Sequence, residues 1–338
     1  KIFGPSAAAA RIEGFKIWSD DLMTKYRIPT AESVVFSESG TAIEYGRSQP
    51  AGSLVVKADG LAAGKGVIIP ETYEDLDTAI VEMLDDAVFG ESSSRILLAE
   101  RMTGPEVSVF AFLDGEHVSA EIASCDYKRI GDGDIGLNTG GMGAYGPPEF
   151  WTQELADQIR NEILEPAARA LVSENSSFSG ILYAGLMVTE YGPKVIEFNC
   201  RFGDPETQIL MPMLESDLLE ICLAVAEHRL DEQEVRWSDT AHTCVVAVSE
   251  GYPGSYETGV EINGIEAAEE YGLVFHAGTA RNDDGAFVTS GGRVLGVAGS
   301  GDTIEESRAA AYAGVERISF NGMRFRQDIA ERAVQGSS

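Results

Sequence analysis

The chain has 338 residues, with 55 acidic and 25 basic side chains and a formal net charge of −30 at pH 7. This length predicts two domains, or one large domain with a lid, and the 44% hydrophobic content is that of a folded globular protein. So acidic a surface repels phosphate backbones and argues against nucleic acid as a partner, while the absence of any apolar run of about 18 residues argues against a membrane span.

Only seven of the 25 basic residues are lysines. Excess carboxylate with few lysines resembles proteins of salt-accumulating halophiles, where concentrated salt screens self-repulsion. A merely acidic protein from a moderate environment is the alternative. Cys125, Cys200, Cys222 and Cys244 form no Cys-x-x-Cys pair, which speaks against zinc and for reduced thiols in a cytoplasmic protein. His117, His228, His242 and His276 show no ligand spacing and read as structural. The start, Lys1-Ile-Phe-Gly-Pro-Ser-Ala, has neither Met nor a signal-peptide layout, so an upstream segment is expected.

Residues 5–28 predict a helix, with Ile12, Phe15, Trp18, Leu22 and Tyr26 at near-helical spacing and Lys16 inside the pattern. A short strand at 33–36 and a short helix at 40–48 follow. The stretch Leu54 to Ile69 places a loop with glycines and two lysines between apolar, β-branched runs. Gly60, Gly64 and Gly66 allow backbone N–H groups to turn toward an anion, and Lys57 and Lys65 supply charge. Gly64-Lys65 is followed by Gly66 rather than Ser or Thr, so this is not a Walker A loop. Between two strands it predicts a flap over a nucleotide, or else a glycine-rich hairpin with no ligand.

Thr72-x-x-Asp75 predicts a helix start, with Leu76, Ile80, Met83 and Leu84 as its buried stripe. Ile96 to Glu100 reads as a buried strand. Residues 107–113 and 117–122 read as a hairpin around Asp114-Gly115. Residues 124–148 read as a long loop, functional or disordered, with Tyr127, Met142 and Tyr145 arguing for packing. Asp126, Lys128 and Arg129 beside Gly140-Gly141-Met142-Gly143 suit a phosphorylated, amine-bearing substrate. Trp151 to about Glu174 predicts a long helix, kinked or broken at Pro166.

Ile181–Val188 predicts a strand, and Val195 to Asn199 alternates like a half-buried one, with Val195, Glu197 and Asn199 on one face. Glu197 and Asn199 would lie roughly 6.5–7 Å apart. Hard oxygens at that spacing suit Mg²⁺ completed by waters and phosphates, and Arg201 follows within reach of an anion on it. A strand with one solvated polar face is the other reading. Leu214 to Arg229 predicts an amphipathic helix. Strands at 242–248, 273–280, 286–289 and 292–298 and a helix at about 303–318 predict a supporting domain.

Taken together, these stretches resemble the ATP-grasp ligases, and within them the glycinamide ribonucleotide synthetase (phosphoribosylamine–glycine ligase) family. The residues that carry the resemblance are Phe3-Gly-Pro-Ser, Val56 to Val67, Asp126-Tyr-Lys-Arg129, Asn138-Thr-Gly-Gly-Met-Gly-Ala-Tyr145, Glu197 to Gln208 and Gly291-Gly-Arg-Val-Leu295, in that order. The resemblance implies an α/β (α+β) class. It implies an ATP-grasp fold over 1–235 with a small lid subdomain at about 32–95, and a C-terminal mixed β-sheet and helix domain over 236–338. The family's N-terminal domain is expected to be absent from this chain.

It also implies a reaction that joins glycine to 5-phosphoribosylamine through glycyl phosphate, with ATP and Mg²⁺ or Mn²⁺. By the resemblance, Lys16 and Lys57 hold ATP phosphates, with Lys65 and the 60–66 flap over them. Glu100 and the backbone at Met102 hold adenine, and Glu106 binds ribose. Glu197 and Asn199 ligate metal, and Arg201 stabilises the transferring phosphoryl group. Asp126, Lys128, Arg129, Asn138, Thr139, Gly140, Gly141, Met142 and Gly143 form the phosphoribosylamine and glycine side. A cytoplasmic monomer acting on small molecules is expected. Leu137 and Asp20 stand where the family usually has proline and lysine. The alternatives are another ATP-grasp carboxylate–amine ligase and a non-catalytic nucleotide-binding remnant.

If the acidic composition is an adaptation to salt, the melting temperature falls as salt is lowered from molar concentration, because carboxylate repulsion is then unscreened. Thermal unfolding at molar and at low salt checks this, and unchanged melting overturns the halophile reading.

Overall fold

The computed structural model describes residues 1–62 and 66–336. They form two compact units interleaved in sequence. One comprises Lys1–Glu121, Thr152–Arg201 and Leu219–Glu234, and the other Ile122–Trp151, Phe202–Leu218 and Val235–Ser338.

The first unit contains a four-stranded antiparallel sheet, ordered Ser33–Phe36, Ile96–Glu100, Leu54–Ala58 and Val67–Ile68. Alternate residues Leu54, Val56 and Ala58 and their neighbours Ile96 and Leu98 pack with Leu76, Ile80 and Met83 of the helix Tyr73–Leu84. The two-residue period therefore sends Lys57 to the opposite face. Thr72 and Asp75 close the predicted capping box at this helix's start.

A second antiparallel layer of this unit orders Gly192–Asn199, Ser179–Thr189 and Glu106–Asp114. The last strand is buried from Val107 to Asp114, which explains its unbroken apolar run. The predicted return strand after Asp114-Gly115 is reduced to a bridge between Leu113 and Val118. Ser119 Oγ accepts from the Phe112 N–H, so a side chain takes a ladder position and the hairpin ends early.

Two helical predictions change. The helix expected over 5–28 is split at Phe15, whose extended backbone (φ −136°, ψ 103°) separates Arg11–Gly14 from Lys16–Tyr26. Lys16 consequently opens a helix instead of lying inside one. At Pro166, where a kink or break was expected, the helix is not ended but is irregular just before the proline. Gln153–Ile159 runs directly into a wide π turn at Arg160–Leu164 and then into Glu165–Ser173. The wide turn just before the proline accommodates its missing N–H and ring.

The second unit is built on an antiparallel sheet containing Gly143–Gly146, Ala241–Ser249, Arg293–Gly301 and Leu273–His276, with Ile122–Asp126 beside Gly143–Gly146 and Met323–Arg324 beside the end of Ala241–Ser249. The helix Ile304–Val315 covers it, burying Ala311, Tyr312 and Val315 against Val245, Leu295 and Val297. The stretch 124–148, expected as loop, is largely strand. Arg129–Gly131 and Ile135–Asn138 form a hairpin within it, and Tyr127, Met142 and Tyr145 are buried as their chemistry suggested.

Arg326 anchors that hairpin from a position only 1% exposed. Its Nε and Nη2 donate to Asp328 at 2.7 Å each, and its Nη1 donates to Asp134 Oδ1 at 2.9 Å and to the Arg129 carbonyl at 3.0 Å. The guanidinium also lies 4.7 Å from the centre of the Tyr127 ring. Burial alone would raise the Asp328 carboxyl, but Arg326 holds it down at about 2. Among the described residues, no helix is long and apolar enough to cross a membrane.

Arg326→Ala removes the main partner of Asp328 and a buried guanidinium that fills its site, and is expected to cost about 2–4 kcal/mol, read from denaturant unfolding. Because the Asp328 pKa is depressed on folding, its contribution is present above the ordinary carboxylate range and is lost as pH falls toward about 2. The mutant's deficit should therefore shrink in acid.

Candidate active site

The Gly192–Asn199 strand departs from regular pairing at one place. Gly185 pairs with Glu197 and Leu186 with Val195, so Ile196 is the extra residue of a bulge. Strict alternation would put Val195 and Glu197 on one face. The bulge separates them, and Val195 is fully buried while Glu197 is exposed. Glu197 and Asn199 lie beyond the bulge and keep their two-residue spacing. Asn199 is 7% exposed, and its Oδ1 accepts from Arg201 Nη2 at 3.3 Å.

Lys57 reaches this strand from its own sheet, and its Nζ donates to the Ile196 carbonyl at 3.3 Å. Protein crowds its ammonium, and that desolvation pushes its pKa below the usual lysine value. Glu197 pulls it back up, Lys16 lowers it further, and Asp20 raises it. Two lysines and the carboxylate of Glu197 thus share one neighbourhood. Asp20, which accepts from Ser33 Oγ at 2.8 Å, has its carboxyl pushed up chiefly by burial.

What brings Lys16 to Lys57 is Asp59, a residue without an assigned role in the sequence reading. The Asp59 carbonyl accepts from the Lys16 N–H at 2.8 Å, and its carboxylate accepts from the Ile17 N–H at 3.0 Å. The helix Lys16–Tyr26 has no side-chain cap of its own, so Asp59, two residues beyond Lys57, caps it from another element. Arg95 Nη2 holds the other carboxylate oxygen at 2.7 Å. Its signal was present as an acid inside the lysine- and glycine-rich stretch, but capping across elements leaves no local spacing to read. Glu13, which accepts from the Cys200 N–H at 2.7 Å and lies 3.9 Å from Arg201, was missed for the same reason.

Around this cluster, the Gly60 N–H donates to the Ser92 carbonyl and the Ala58 N–H to the Gly66 carbonyl, so both ends of the flap are fixed. Gly64 and Lys65 lie outside the described residues. Glu100 is exposed at its strand end, 3.6 Å from Lys194. Met102 is half-buried, and exposed Glu106 pairs with Met187 at the start of its strand.

The second unit assembles the other candidates. Lys128 Nζ lies 3.9 Å from Asp126. Arg129 pairs with Asn138 across the hairpin and donates to the Gly136 carbonyl at 2.7 Å. Thr139 Oγ1 donates to the Lys128 carbonyl at 2.8 Å and accepts from the Gly141 N–H at 3.0 Å. The Gly140 N–H donates to Tyr252 Oη, Met142 is 1% exposed, and Gly143 opens a buried strand.

Among the described residues, no three His, Cys, Asp or Glu side chains converge as metal donors. The Glu197 carboxylate and the Asn199 amide oxygen instead form a two-member set of hard donors. Such a set fits a small divalent ion whose remaining positions come from phosphate and water.

Comparison with known proteins gives the family. Residues 14–207 match the family model described as phosphoribosylglycinamide synthetase, ATP-grasp (A) domain, and residues 242–332 match the C domain of the same synthetase. Phosphoribosylamine–glycine ligase of Pasteurella multocida is 47% identical over 335 residues, covering 99% of this chain and 78% of the relative. That of Escherichia coli K12 is 46% identical over 337 residues with the same coverage. The crystal structure of phosphoribosylamine–glycine ligase from Thermotoga maritima superposes with a TM-score of 0.88 at 33% identity, covering 97% of this chain and 81% of that one. A biotin carboxylase domain from Hydrogenobacter thermophilus shares the fold at 14% identity, with a TM-score of 0.69 over 95% of this chain and 69% of that one. With both family models matched in order across most of its length, the chain belongs to the phosphoribosylglycinamide synthetase family of ATP-grasp proteins.

Proposed function

We propose that this chain is a phosphoribosylamine–glycine ligase, which joins glycine to 5-phosphoribosylamine at the expense of ATP in purine biosynthesis. The observation that carries the reading is the meeting of Lys16, Lys57 and Glu197 around the bulge at Ile196, inside the segment matched by the ATP-grasp domain.

The chemistry explains why cations gather there. A carboxylate is a poor acylating agent, so a glycine carboxylate oxygen first attacks the γ-phosphorus of ATP, and ADP leaves. The amine of phosphoribosylamine then attacks the carbonyl of glycyl phosphate. Phosphate departs with its bonding pair, the amine loses a proton, and the amide of glycinamide ribonucleotide remains. Two anions must approach in the first step, so charge neutralisation governs its rate.

In this reading Lys16 and Lys57 grip the phosphates, and Arg201 stabilises the phosphoryl group in transfer. The 60–66 stretch, including Gly64 and Lys65, closes as a flap within a lid of about 32–95, and the ATP-grasp domain runs to about residue 235. Glu100 and the Met102 backbone receive adenine, and Glu106 the ribose. Glu197 and Asn199 would hold Mg²⁺ or Mn²⁺, which when bound draws charge from the phosphate oxygens. Asp126, Lys128, Arg129 and residues 138–143 receive glycine and phosphoribosylamine. A cytoplasmic monomer that binds neither nucleic acid nor membrane completes the reading.

The family's N-terminal domain is expected to be needed for turnover, so the test takes the intact protein, which with ATP, Mg²⁺, glycine and phosphoribosylamine is expected to form ADP and glycinamide ribonucleotide. No glycine-dependent ADP, even at high salt, overturns the reading. Glu197→Ala, Asn199→Ala and Arg201→Ala should each lose most activity, and wild-type rates in all three would remove the basis of the mechanism. Lys57→Met should weaken ATP binding by about 10- to 100-fold, as loss of a hydrogen bond to a charged group, yet raise the melting temperature of the ligand-free protein by removing a desolvated charge. Asp59→Ala should cost about 1–3 kcal/mol of stability and raise the KM for ATP, because Lys16 loses its anchored helix start.

A further inference from the structure

Gly291-Gly-Arg-Val-Leu295 stood out in the sequence without a chemical role, and the second unit supplies one. Arg293 is 21% exposed and grips Asp204 with both arms. Its Nη2 donates to Asp204 Oδ2 at 2.8 Å, and its Nη1 to Oδ1 at 3.1 Å and to the Asp204 carbonyl at 2.9 Å. The same Nη1 donates to the Gly140 carbonyl at 2.8 Å. From the other side, the Gly140 N–H donates to Tyr252 Oη at 3.0 Å. Both polar groups of Gly140 are therefore held, one by each partner.

The backbone there is crowded, and at Gly141 only glycine fits. A Cβ on Gly140 would lie 3.0–3.1 Å from the Arg293 guanidinium. Gly141 has φ +113°, and a Cβ on it would meet Pro205 Cδ at 2.3 Å. Three glycines in four residues, Gly140, Gly141 and Gly143, would by themselves make a floppy segment. Fixing each backbone costs about 1–2 kcal/mol of conformational entropy. A clamp already made in the folded protein meets that cost before any ligand arrives.

We infer that Arg293, with Tyr252, is a positioning residue that holds the 138–143 segment, and with it Lys128 and Asn138, ready for phosphoribosylamine. The inference rests on the proposed substrate side of the site. Asp204, Gly140 and Arg293 come from three separate sequence motifs, and this guanidinium ties the three together. Lysine cannot replace it, because one ammonium cannot grip a carboxylate with two parallel bonds and a carbonyl together.

The test uses the purified protein with Arg293→Lys, Tyr252→Phe and, as a separate probe of the substrate side, Lys128→Ala. Two measurements are made, amide hydrogen exchange at residues 139–142 and the KM for each substrate. Arg293→Lys should speed exchange there and raise the KM for phosphoribosylamine by about tenfold or more, with the KM for ATP within about twofold. Tyr252→Phe, which removes only the hydroxyl, should do the same more weakly, so the test survives poor folding of the arginine variant. Unchanged exchange in both variants overturns the clamp. So does an equal change in the KM for every substrate, the mark of a brace that merely stabilises. If Lys128→Ala raises the KM for phosphoribosylamine but neither clamp variant does, the positioning role falls and the substrate side stands. If Lys128→Ala also leaves it unchanged, the substrate side itself falls and takes the inference with it.

Discussion

A lysine ammonium stripped of much of its water is the constraint around which the first unit is arranged. Lys57 faces the carbonyl of Ile196 and the charge of Glu197, but also the like charge of Lys16. Left alone, such a group is a liability. The fold keeps it in place by over-determining its surroundings. The helix-packed face of its sheet fixes the strand, and Asp59 ties the end of that strand to the start of the Lys16 helix. In the proposed reading, an incoming polyanion would relieve the repulsion between the two lysines.

Much of this was legible in the amino-acid order because its signals are local. Two-residue alternation marked the spacing of Glu197 and Asn199, and the three- and four-residue spacing of Leu76, Ile80 and Met83 marked their helix. What was not legible depends on partners distant in the chain. The inserted residue at Ile196 appears only when the neighbouring strand is aligned. The interruption at Phe15 follows Gly14, a weak helix former whose local signal was overridden in the reading by the apolar spacing, and the next helix start is fixed by the remote carboxylate of Asp59. The return strand after Gly115 had the right composition but lost its ladder to the Ser119 hydroxyl. The segment 124–148 read as loop because its glycines hide short strands.

The second unit uses its cations differently. Arg326 and Arg293 are spent on backbone carbonyls and carboxylates within the unit, a task suited to a planar fork with several donors. The lysine proposed for ligands there, Lys128, sits 3.9 Å from an acid and 47% exposed. In a chain with seven lysines and many more arginines, the division is physical. In this unit these two guanidinium groups fasten the scaffold, while in the proposed reading Lys128 is kept for a phosphate.

The bulge at Ile196 carries one more consequence. Shortening the strand by that residue would leave both flanking pairs intact, Gly185 with Glu197 and Leu186 with Val195. The ladder does not use that residue, but Lys57 does, through its carbonyl. The residue that looks superfluous to the strand ladder is the one whose carbonyl receives Lys57.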